Sequence, residues 1–162
     1  MNTKKITFTA LLTGLAIIIP FAVLFKVVIP PFTATLGSHV PMFISMLLGP
    51  QAAILVGLGS AFGFFLNLGP LVGARALMHV VVGVVGAHLI RRGTSFAKAS
   101  IITAPIHGIL EALVVMPFIG LDVYKLLVIT CIGTILHHGA DAFISSIIIK
   151  ILNKTPVARI AE

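Results

Sequence analysis

The sequence predicts an all-α membrane protein, a bundle of six transmembrane helices with a short second helix. Three observations carry that expectation. Of the 162 residues 59% are hydrophobic, mean hydropathy is +1.20, and only 9% are charged. So few charges cannot solvate a water-soluble chain of this size, and helices apolar all round cannot make up a whole soluble protein. The apolar runs reach the length a bilayer demands, about 20 residues per crossing. Most Lys and Arg stand at the ends of those runs rather than along one helix face. Despite a net charge of +7, that distribution points to membrane topology and not to nucleic acid. The chain is read as one integral membrane domain, residues 1–162.

Each element follows from local signals. Lys4 and Lys5 precede the first run, residues 6–28. It is longer than the core of a secretory signal and no small-x-small cleavage site follows it, so it reads as a retained helix. Pro30 and Pro31 remove two backbone donors and close it. Residues 31–37 read as a loop, after which Ser38 can cap a second segment, 39–48, broken by Gly49 and Pro50. A third segment, 51–66, ends in a turn of Asn67, Gly69 and Pro70. The fourth, 71–90, stops at Arg91, Arg92 and Gly93; the fifth spans 97–119; Gly120 and Asp122 lead into the sixth, 123–152. The second segment would rise only ~15 Å, half the hydrocarbon thickness. Such irregularity is tolerated where protein or an aqueous cavity covers the backbone, which makes it a candidate wall of a binding site.

With the N-terminus in the cytoplasm, the inner side collects Lys4, Lys5, Arg91, Arg92, Lys98, Lys150, Lys154 and Arg159. The outer side has Lys26 and Lys125, with Arg75 near the outer end of the fourth helix. This bias predicts both termini in the cytoplasm. Two pairs of small residues, Ala10 with Gly14 and Gly59 with Gly63, let helix backbones approach closely. Internal packing is the reading for the third-helix pair, while docking of another membrane protein competes for Ala10 and Gly14.

Ionisable groups inside these runs are costly and by default mark a ligand or ion pathway. Arg75 and His79 stand four residues apart in the fourth segment, His107 and Glu111 in the fifth, so each pair shares a helix face. Both pairs fall at matching depth in the outer half, where they can hold a small polar molecule. The planar fork of Arg75 suits a carboxylate, and Glu111 can accept from a ligand N–H. Alternatively Arg75 and Glu111 pair with each other and lock two helices. His79 and His107 read equally as packing histidines or ligand contacts. His39 is a candidate by its place beside the outer loop, and Tyr124 as an interfacial anchor or stacking partner. Asp122 reads as a helix cap, and His137 with Asp141 as a hydrogen-bonded pair.

Six histidines invite a metal. No HExxH occurs, however, no Cys/His cluster repeats, and the candidate ligands are scattered over the helices, so no metal is expected. The lone Cys131 excludes an internal disulfide. Without GxxxxGK[ST] or GxSxG the chain offers neither its own ATPase loop nor a nucleophile elbow, and an enzyme is not expected.

The chain's size, its six apolar segments and a first helix beginning Phe8-Thr-Ala10-Leu-Leu-Thr-Gly14 resemble the substrate-binding S components of energy-coupling factor (ECF) vitamin transporters. Two stretches, Ser38-His-Val-Pro-Met-Phe-Ile-Ser-Met-Leu-Leu-Gly-Pro50 and Ala74-Arg-Ala-Leu-Met-His79, look most like the niacin-type members. The resemblance implies a multi-pass protein of the bacterial cell membrane that captures a vitamin, expected to be nicotinate, from outside. It implies partners: a transmembrane coupling protein and two ATPase subunits, which use the ATP, with no cofactor on this chain. In the family an Ala-xxx-Ala pattern on the first helix docks the coupling protein; Ala10 and Gly14 match it in size but not in identity. Family members bind ligand in the outer half between the outer loops and helices four to six, where Arg75, His79, His107 and Glu111 were placed on depth alone. A stand-alone secondary transporter, a metal-uptake component and an intramembrane enzyme are the alternatives.

Overall fold

A computed structural model describes residues 2–154; Arg159 and the expected end of the domain lie outside the described residues. Helix α1 spans Thr3–Ala22, a hairpin follows as β1 (Lys26–Ile29) and β2 (Phe32–Thr35), and then come α2 (Val40–Leu48), α3 (Pro50–Leu68), α4 (Pro70–Arg91) and α5 (Phe96–Ile119). The last helix opens with nine residues of π-helix, Tyr124–Ile132, and continues as α6, Gly133–Lys154. In the π-helical stretch the Thr130 hydroxyl donates to the Lys125 carbonyl five residues back, at 2.9 Å.

Among the described residues, five helices are long and apolar enough to cross a membrane: α1, α3, α4, α5 and the last. The sixth, α2, is the short one: its nine residues cover only part of the hydrocarbon thickness, as its length predicts. Eight of its nine residues are buried, so its irregular ends are shielded by protein rather than lipid. Large apolar side chains such as Leu11, Leu15, Ile18, Phe62, Ile101, Ile109 and Leu136 remain exposed around the bundle, a surface suited to hydrocarbon and not to water.

The first helix ends at Ala22, six residues before the predicted 28, and the predicted loop is half of an antiparallel hairpin. Its register pairs Lys26 with Thr35 and Ile29 with Phe32 across the Pro30–Pro31 turn. The physical reason lies in the chain between them. Val27, Val28 and Ile29 are β-branched and favour extended backbone. Pro20 sits in the last turn of α1, and its carbonyl accepts from the Asn67 amide and from Lys26 Nζ (2.8 Å). A helix end leaves such carbonyls without intrahelical partners, so Asn67 serves as a cap for α1 rather than for its own turn.

Gly49 (φ +111°) and Gly69 (φ +84°) turn the chain before Pro50 and Pro70 start the next helices, combining glycine's access to positive φ with proline's fitness for a first turn. Gly59 and Gly63 face α1: a Cβ on Gly59 would lie 2.7 Å from Thr13 Cγ2, and one on Gly63 would fall on the Ile17 backbone. That pair is internal packing. Buried Met42, Phe43, Met46, Val82 and Ala87 fill the core between α2 and α4.

Candidate functional site

Strand β2 separates two environments, because successive side chains point to opposite faces. Thr33 and Thr35 line a small polar chamber, together with Ser38, His39, Arg75, His79, Glu111 and His137. Phe32, Ala34 and Leu36 line a wide apolar groove against the last helix, where Tyr124, Val128 and Ile132 form the other wall. The chamber as it stands has a volume of about 20 Å³, room for one water.

Arg75 reaches the chamber from α4, and every nitrogen of its guanidinium is engaged. Nε and Nη2 donate to Glu111 Oε2 at 2.9 and 2.6 Å. Nη1 donates to the Pro31 carbonyl (3.3 Å) and Thr33 Oγ1 (3.2 Å), and Nη2 also to the Thr33 carbonyl (3.2 Å). The Phe32 ring lies 5.2 Å from the guanidinium carbon, within cation–π range. Thr134 Oγ1 of α6 donates to the same Glu111 oxygen at 2.6 Å. The pairing of Arg75 with Glu111 is thus present, and it ties the hairpin, α4, α5 and α6 at one point.

A second anchor forms on the other side. Asp141 of α6, fully buried, accepts from the backbone N–H of Gly37 (2.8 Å) and of His39 (3.0 Å). The expected His137–Asp141 contact is present at 3.2 Å, and His137 Nε2 also donates to the Thr35 carbonyl at 3.1 Å.

Between the anchors the histidines converge. The His39 ring lies 4.7 Å from His79, 4.8 Å from His107 and 4.4 Å from His137, centroid to centroid. His79 Nδ1 shares a hydrogen bond with Ser60 Oγ at 2.8 Å, and His107 Nδ1 one with His138 Nδ1 at 3.1 Å. Five of the predicted site residues, Arg75, His79, Glu111, His107 and His39, therefore meet in one buried cluster. Tyr124 does not: it is exposed in the wall of the apolar groove. The π-helical start of the last helix stands on the far side of β2 from the chamber. Ala10 and Gly14 line an open groove on α1 with Ile6, Thr13 and Leu55, and a Cβ on Gly14 would meet nothing within 4 Å. Thr33, Thr35, Ser60 and Thr134 were missed. The alternation of Phe32, Thr33, Ala34, Thr35 and Leu36 was the available signal for the first two.

Fold and site together define a multi-pass membrane protein that encloses an arginine- and histidine-lined polar chamber beneath a β-hairpin. The chain is 30% identical over 156 residues to the niacin transporter NiaX of Lactococcus lactis subsp. cremoris (strain MG1363), a match covering 86% of this chain and 70% of that protein. It belongs to that transporter's family, the niacin-type S components of ECF transporters. No family model matches the chain, and no solved structure does.

Proposed function

We propose that this chain is the substrate-binding subunit of an ECF-type importer and captures nicotinate from outside, with both termini in the cytoplasm. The observation that carries the reading is the pairing of Arg75 with the hairpin. Arg75 is 4% exposed, and three of its five hydrogen bonds go to Pro31 and Thr33, acceptors on the hairpin. A ligand carboxylate is a stronger acceptor than a carbonyl or hydroxyl and matches the guanidinium fork. Nicotinate would replace Thr33 at Arg75, lifting the hairpin to make room that the chamber now lacks. Its ring nitrogen would then meet the histidines that line the cavity, His39, His79 and His137. Support also comes from the related niacin transporter. Transport itself would need a coupling protein, for which the open face at Ala10 and Gly14 is the proposed dock, and two ATPase subunits to hydrolyse ATP.

Equilibrium binding of radiolabelled nicotinate to the purified protein tests the reading. Arg75→Ala should lose at least about tenfold in affinity, the smallest effect expected of a charge-assisted bidentate contact. Unchanged affinity would remove Arg75 from the site, and no binding by the wild type would reject nicotinate as the ligand.

A further inference from the structure

Hydrogen bonding fixes which nitrogen His107 leaves free. His138 Nε2 lies 3.0 Å from the Ser100 carbonyl, which can only accept, so that nitrogen carries a hydrogen. In a neutral ring His138 Nδ1 is then an acceptor, and His107 Nδ1, at 3.1 Å, must donate to it. His107 Nε2 is left with a bare lone pair. It is buried without a hydrogen-bond partner, and at 3.3 Å it faces Glu111 Oε1, another acceptor. Two acceptors facing each other in a buried site need a cation between or beside them.

Two more rings complete the set. His79 is oriented through Nδ1 by Ser60, the outer hydrogen bond that metal-binding histidines regularly make. His39 Nδ1 is also buried and unpartnered, its 3.0 Å approach to Asp141 being off line for a hydrogen bond. One ring nitrogen from each of His39, His79 and His107 lies within 4.8 Å of the others. A second grouping, His39 with His137 and Asp141, is equally tight, but Asp141 already holds two backbone amides and His137 holds the Thr35 carbonyl. The charges agree. With neutral histidines, the cluster holds two carboxylates, Glu111 and Asp141, and one guanidinium, Arg75, so it carries one negative charge in excess.

We propose that His39, His79 and His107 bind a divalent transition metal of the zinc class, for which imidazole is the suited ligand. The three come from the start of α2, from α4 and from α5, and three histidines leave a coordination position for a further ligand. The proposal does not depend on which small molecule the chamber takes.

Chelator-stripped protein, incubated with Zn²⁺ and desalted, should retain about one zinc per chain by elemental analysis, as a buried three-histidine site does. His88→Asn, which changes an exposed histidine on α4, should keep that zinc, and His79→Asn should lose it. Because His79→Asn can disturb folding, the wild type alone provides a second readout: Zn²⁺ should raise its melting temperature in detergent, and chelator should reverse the rise. Retention well below stoichiometric with no melting shift would overturn the proposal and leave a proton as the missing cation. Equal retention by His79→Asn and His88→Asn would overturn it in favour of surface binding.

Discussion

Arg75 and Asp141 both fasten the hairpin region to the bundle, but with opposite chemistry. Arg75 offers only donors, so it holds the hairpin by its acceptors, Pro31 and Thr33. Asp141 offers only acceptors, so it holds the chain by its donors, the amides of Gly37 and His39. An anionic ligand can take the hairpin's place at the first anchor and has nothing to offer the second. In the proposed capture of nicotinate, Arg75 would then act as a latch and Asp141 as a hinge.

Three substitutions would break or sharpen that contrast. The largest effect is expected from Glu111→Gln, which leaves the Arg75 charge buried without its counter-ion, a loss of about 3–5 kcal/mol when a buried pair is broken. Unfolding in detergent measures it; a variant as stable as the wild type would mean that Arg75 is neutralised elsewhere. Asp141→Asn keeps one acceptor and deprives one amide of its partner, costing about 1–3 kcal/mol. Nicotinate affinity should fall with it, because a loosened hinge no longer positions His39. Full affinity in a destabilised Asp141→Asn protein would deny Asp141 that role. The smallest effect is expected from Thr33→Val, which removes one of the two acceptors of Arg75 Nη1, for about 0.5–1.5 kcal/mol. Here stability should drop slightly while nicotinate associates faster, since the latch opens more easily. Slower association would place Thr33 in the binding contacts instead.

Much of this was legible in the chain. Glycine and proline at 49–50 and 69–70 marked the helix junctions because their backbone limits are local. The four-residue spacing of Arg75 with His79 and of His107 with Glu111 put each pair on one face. The hairpin was hidden because residues 23–29 continue the apolar run of α1, and hydropathy does not distinguish a strand from a helix there. Lys26 in the middle of that run was the hint. Its ammonium has to leave the hydrocarbon, and it does so by bonding the Pro20 carbonyl. Tyr124 was grouped with the chamber by depth alone, yet depth says nothing about which side of β2 a side chain occupies.

The sequence by itself determined that this is a membrane protein of six apolar segments with the second one short, since hydropathy, length and breakers act within a segment. It also marked Arg75, His79, His107 and Glu111 as groups requiring an explanation, because a charge in an apolar run is costly wherever it points. Only the tertiary structure decided that histidines from separate helices, scattered along the chain, come together with a ring nitrogen of each within 4.8 Å of the others. Hydrogen-bond donors and acceptors find their partners through space, and no spacing along the chain records that Ser100, His138 and His107 form one relay.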